Sequence, residues 1–246
     1  MNKLIRLAKA IAGLFLMIFR VRVFRPEKIF SGKSVAIVGP ADSAYDEEYG
    51  DYIDQFDYVI RINKAITTWE PENQKFIGSR TDILLHSFNE TELTGGGPLN
   101  FKLFRKHNIQ YVLNGKNNLI NYRHIFNVYK KYLTFNRIYI LEKIKFLNCQ
   151  RLFDGFSPTN GFRALHMMMT SRPKKIFITG FTFYKTPYAD GYRDQFKDVA
   201  INLEHLKKSG VHDPDLEYSM FLMLLKNNEG KVILDSRLRK IVENDN

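Results

Sequence analysis

Residues 33–44 read KSVAIVGPADSA. Four consecutive apolar residues, 35–38, run into Gly39-Pro40, where the chain must turn. A strand with one wet face would alternate polar and apolar side chains. This run does not alternate, so both its faces are covered, as in a parallel sheet wrapped by helices. The same signature returns in FDYVIRIN (56–63), TDILLHS (81–87), IQYVLNG (109–115), NRIYILE (136–142), KKIFITGF (174–181) and KVILD (231–235). Helical stretches at 121–133, 161–171 and 215–228 fall between them. Strands alternating with helices predict one α/β domain over residues 26–246, with a mostly parallel sheet flanked by helices. No repeat or linker divides it.

Ligands of such sheets bind beyond the carboxyl ends of the strands. The first strand ends at Gly39, Asp42 and Ser43, where backbone N–H groups can face a phosphate. The second ends at Asn63, whose amide can donate to and accept from a ribose or base edge. SPTNG (157–161) closes a loop and opens a helix. Thr159, Asn160 and Gly161 there offer a hydroxyl, an amide and free N–H groups to an anion, or they simply cap the helix. HDPDLE (212–217) stands at the mouth of the last long helix. His212 titrates near neutrality and can take a proton from a hydroxyl there.

The 246 residues carry a formal net charge of +11, which points to an anionic partner. The charge is concentrated early: Lys3, Arg6, Lys9, Arg20, Arg22 and Arg25 precede the first acidic residue. AIAGLFLMIF (10–19) is too short to span a bilayer, and no small-residue cleavage pattern follows it. At helical spacing Lys3, Arg6, Lys9 and Gly13 share a face. Residues 1–25 are therefore expected to form a basic amphipathic helix on an anionic membrane surface; docking on the protein's own core is the other reading. The lone Cys149 forms no intramolecular disulfide, which suits a reducing compartment. No RNA- or DNA-binding motif is visible, so a nucleic-acid partner is not expected.

Three segments in order resemble the animal-type sialyltransferases, glycosyltransferase family 29. Residues 35–86, from VAIVGPADSA to IGSRTDILLH, resemble that family's large motif. Residues 157–181 resemble its small motif, and HDPDLE its very small motif. The resemblance implies a Rossmann-like, GT-A-like variant that is inverting and metal-independent, with CMP-sialic acid as donor and no further cofactor. Carried over, Gly39, Ser43 and Asn63 would contact CMP; Thr159, Asn160 and Gly161 would hold its phosphate or cytosine end. His212 would deprotonate the acceptor, and Glu217 would support the helix start.

The chain also departs from the family pattern. Pro40 stands where the family has Asn, so Asp42 is a replacement contact. The family's cysteine pair is absent, in keeping with a bacterial enzyme on the cytoplasmic face of the inner membrane. The third motif has no clear match; YKTPYADGY (184–192) lies there, offering Tyr184, Tyr188 and Tyr192 to the departing phosphate. Sugar identity therefore stays open between sialic acid and Kdo, both 2-keto acids activated by CMP. The expected acceptor is a glycan or glycolipid of lipopolysaccharide, capsule or a similar surface polymer. Two other readings remain: a metal-dependent transferase using Asp213 and Asp215 as a DxD pair, and a non-catalytic nucleotide- or glycan-binding relative.

Overall fold

The computed structural model describes residues 3–91 and 95–245. Its centre is one eight-stranded sheet: β1 (Val21–Phe24), β2 (Ser34–Val38), β3 (Tyr58–Ile62), β4 (Ile83–Leu85), β5 (Tyr111–Asn114), β6 (Ile138–Leu141), β7 (Lys175–Thr179) and β8 (Val232–Leu234). The spatial order is β1-β6-β5-β4-β3-β2-β7-β8. Every pairing is parallel, so the sheet is wholly rather than mostly parallel. From β2 the chain winds outward through β3 to β6, then returns to lay β7 on the other side of β2. That reversal leaves a crevice at the carboxyl ends of β2 and β7.

Burial on both faces accounts for the unbroken apolar runs. Val35 and Ile37 pack beneath Leu165 and Met168 of the helix Asn160–Met169. Ala36 and Val38 point the other way, against Ile53 and Ile77. Farther along the sheet, Leu84, Val112 and Ile138 meet Ile125 and Val128 of the helix Leu119–Tyr132.

The segment 77–82, IGSRTD, clamps β3 to β4. The Asp54 carboxylate accepts from the Ser79 and Arg80 backbone N–H groups, and the Arg80 guanidinium donates to the carbonyls of Asp54 and Phe56. Asp82 accepts from the Val59 N–H. Arg61 is fully buried and donates to the carbonyls of Ile77 and Gly78.

The N-terminal segment differs from the expected division at residue 25. Val21–Phe24 is the edge strand, in register with Ile138–Leu141. The preceding helix, Lys3–Arg20, buries Gly13 and Leu16. A Cβ on Gly13 would lie 2.8 Å from the Lys130 backbone, so only glycine lets the two helices approach this closely. The opposite face, with Leu4, Leu7, Ile11, Leu14, Phe15 and Ile18, is exposed. Among the described residues no helix is long and apolar enough to cross a membrane.

Candidate functional site

A cavity of about 520 Å³ occupies the crevice. Pro40, Ala41, Gly180 and Phe181 form its floor, following β2 and β7. Thr159, Asn160 and Gly161 line one side at the start of the helix Asn160–Met169, and His212 and Glu217 line the next. Tyr184, Tyr188 and Tyr192 close a third wall, and Asn63 lies at the end of β3. Segments as far apart in sequence as Pro40 and Glu217 thus converge here because each lies in a connection that leaves the carboxyl end of a strand of one parallel sheet.

Two helix starts are joined by one carboxylate. Thr159 caps its helix by accepting from the Phe162 N–H at 3.1 Å. Its own N–H and hydroxyl donate to the two Glu217 oxygens, at 2.5 and 2.9 Å. Burial pushes the Glu217 carboxyl up to about 7, opposed by those Thr159 hydrogen bonds. Asp213 caps the second helix, Pro214–Lys226, by accepting from the Leu216 N–H.

His212 sits where these two starts meet. Its Nδ1 contacts the Ser157 carbonyl oxygen, which can only accept, so Nδ1 carries the proton. Nε2 then holds the basic lone pair. Burial lowers the imidazole pKa below its ordinary value, with Lys116, Arg163 and Arg193 acting in the same direction. The ring is therefore neutral, in one tautomer, and able to accept a proton.

Asn63 ties the opposite wall together. Its φ of 51° is in the left-handed region that Asn tolerates. Its Oδ1 accepts from the Asn160 amide at 3.0 Å and from the Ser87 N–H, and its Nδ2 faces the Tyr192 hydroxyl at 3.4 Å. Tyr184 and Tyr188 stack edge-on at 6.2 Å, and Tyr188 and Tyr192 lie 5.3 Å apart. Burial raises the Tyr184 and Tyr192 hydroxyls well above their ordinary range, so both keep their protons and can donate.

Gly39, Asp42 and Ser43 do not line the cavity. A Cβ on Gly39 would lie 2.2 Å from the Gly180 carbonyl oxygen, so this glycine serves the close approach of the segments following β2 and β7. Asp42 accepts from the Thr186 hydroxyl at 2.5 Å and donates its N–H to the Pro187 carbonyl. It therefore holds the loop that carries Tyr184 and Tyr188. Ser43 is buried, its hydroxyl unpaired among the described residues.

The family model of glycosyltransferase family 29 (sialyltransferase) matches residues 9–229. The chain belongs to glycosyltransferase family 29. It is a glycosyltransferase of the sialyltransferase type. The fold is similar to a mammalian sialyltransferase solved with Gal-beta-1-3GalNAc-ortho-nitrophenol, at 17% identity over 90% of this chain and 77% of that one, TM-score 0.52. It is also similar to the sialyltransferase CstII from Campylobacter jejuni solved with CMP-3FNeuAc, at 14% identity over 85% of each chain, TM-score 0.54. A CstII complex with a trisaccharide acceptor and CMP matches at 15% identity over 85% and 84% of the two chains, TM-score 0.54. None of the curated proteins matches the chain by sequence.

Several residues of this sialyltransferase cavity carry no sequence signal. Lys116 follows β5 in NGKNN and lines the cavity. Burial, and then the charge of Arg163, pushes its amine down to about 8. Arg193, His124 and His205 also line the cavity. Each lies on a loop or helix whose local sequence is ordinary; only the winding of the sheet brings it here. The Asp213–Asp215 pair is divided, with Asp213 engaged as a cap and Asp215 exposed.

Proposed function

We propose that this transferase moves sialic acid from CMP-sialic acid to a glycan hydroxyl with inversion at the anomeric carbon. His212 Nε2 takes the acceptor proton as the hydroxyl oxygen bonds to C2. The bond from C2 to the phosphate oxygen breaks, and CMP departs with the electron pair. Thr159, Asn160 and the helix N-terminus behind them receive its phosphate, helped by the tyrosine hydroxyls. Lys116 supplies the cation that the sugar's carboxylate needs.

The observation that carries this reading is the fixed Nδ1–H tautomer of His212, at a cavity wall shared with the start of the helix Asn160–Met169. A base without that lock would spend part of its time in the wrong tautomer. Membership of the family supports sialic acid as the sugar, and the complexes of its structural relatives support CMP as the leaving group. The acceptor is proposed to be a cell-surface glycan such as lipopolysaccharide or capsule.

A donor screen tests the reading: CMP-sialic acid, CMP-Kdo, UDP- and GDP-sugars, each scored for acceptor-dependent nucleotide release. CMP release from CMP-sialic acid alone, with a product of inverted anomeric configuration, is the expected result. Turnover of CMP-Kdo instead would reassign the sugar. Release from a UDP- or GDP-sugar that stops in EDTA would return Asp213 and Asp215 to consideration.

A further inference from the structure

The helix Lys3–Arg20 presents two faces of different use. Gly13 and Leu16 pack on the domain, while the face bearing Leu7, Ile11, Leu14, Phe15 and Ile18 is exposed. Ile11 is 61% exposed and Phe15 60%, in a helix otherwise held firmly by its other side. Six cations and no acid precede Glu27, and Lys3, Arg6, Arg22 and Arg25 are exposed. An apolar stripe on a helix whose only charged residues are cations complements an anionic interface with an apolar interior. A second copy of the same stripe would instead bring like charges together.

The topology fixes where this face sits relative to the cavity. The helix Lys3–Arg20 leads into β1, and the helix Leu119–Tyr132 leads into its parallel neighbour β6, so the two helices run in the same direction. Gly13 lies against Lys130. Ten residues back along each, Lys3 (13 − 10) is level with Ile120 (130 − 10), because both helices rise equally per residue. Ile120 lines the cavity mouth and is itself exposed, as is Leu119 before it.

We propose that the exposed apolar face of Lys3–Arg20 lies in the headgroup region of an anionic bilayer, continuous with Leu119 and Ile120, and turns the cavity mouth toward lipid-borne acceptors. The preference for such acceptors rests on the transferase reading above; the docking does not.

Flotation of the full chain with phosphatidylcholine vesicles, with and without phosphatidylglycerol, tests the docking in the absence of any sugar donor. Binding is expected to phosphatidylglycerol vesicles and to weaken in high salt. Ile11→Glu with Phe15→Glu should reduce it by about tenfold or more while transfer to a soluble acceptor is unchanged. Lys3→Glu with Arg6→Glu, which leaves the apolar face intact, should weaken only the phosphatidylglycerol-dependent part. With acceptor glycan anchored in the vesicles, the first variant should lose rate in step with binding. The proposal is overturned if the chain binds neither vesicle, if binding ignores phosphatidylglycerol, or if both variants float like wild type. It is equally overturned if light scattering finds a dimer that Ile11→Glu with Phe15→Glu splits. A chain that floats but transfers nothing leaves the docking standing and defeats the transferase reading.

Discussion

The Nδ1–H of His212 is committed to the Ser157 carbonyl, which leaves Nε2 as the one basic position of the ring. His212→Ala should reduce turnover by roughly 10²–10⁴-fold, the usual worth of general-base help. CMP affinity, measured by calorimetry, should survive; unchanged turnover would remove His212 from the mechanism. Because burial lowers its pKa, the neutral base persists below the ordinary imidazole value of 6.5. The acid limb of kcat/KM should therefore fall below pH 6.5. Lys116 has the opposite sign, since its useful form is the cation, present below about 8. Donor KM should rise above that pH, and Lys116→Arg, which stays charged, should abolish the rise.

At the scale of elements, Glu217 decides how two helix starts meet. It accepts both donors of Thr159, whose helix start is the proposed seat of the donor phosphate. Glu217→Ala leaves a buried N–H without a partner, at a cost of about 1–3 kcal/mol. Thermal unfolding should shift down accordingly, and donor KM should rise as the helix start loosens. Glu217→Gln keeps an acceptor for the N–H and should recover much of both. The IGSRTD clamp behaves differently because it stands away from the cavity. Arg61→Leu removes charged donors from the Ile77 and Gly78 carbonyls and should cost about 3 kcal/mol in a denaturant titration. Donor KM in the folded fraction should not change. IGSRTD, part of the stretch that resembles the family's large motif, is thus a fastening between strands and does not line the cavity.

Across the whole molecule, stability depends on histidines that do not line the cavity, His86 and His166. His86 accepts from the Phe88 N–H through Nδ1 and donates through Nε2 to the Gly96 carbonyl, so the folded ring has no room for a second proton. Burial lowers His86 and His166 to about 4, against 6.5 in the unfolded chain. Their contribution is complete above pH 6.5 and is lost as pH falls toward 4, because the unfolded chain binds the protons first. Glu217, raised to about 7 from 4.5, acts in the opposite sense over that range. His212, also lowered by burial, acts in the same sense as the two buried rings, so the urea midpoint should fall below pH 6.5; a flat profile down to pH 4 would contradict the buried, neutral state of His86 and His166.

The sequence by itself determined the strands, the parallel sheet and the family. Unbroken apolar runs ending at turns record burial on two faces, and the cap signals of SPTNG and HDPDLE record helix starts, all within a few adjacent residues. His212, Thr159, Asn160 and Asn63, singled out for that reason, line the cavity, as do Tyr184, Tyr188 and Tyr192. The sequence did not separate residues that line the wall from residues that hold it: Gly39 and Asp42 share a segment with Pro40 and Ala41, and only the return of β7 beside β2 turns them away from the cavity. The same return brings in Arg193, and Lys116 arrives from the end of β5. Val21–Phe24 reads as the tail of a helix until β6, more than a hundred residues later, gives it a ladder to join. Local periodicity reports which surfaces are covered; what covers them is a contact between distant segments, and that is settled only when the sheet is wound.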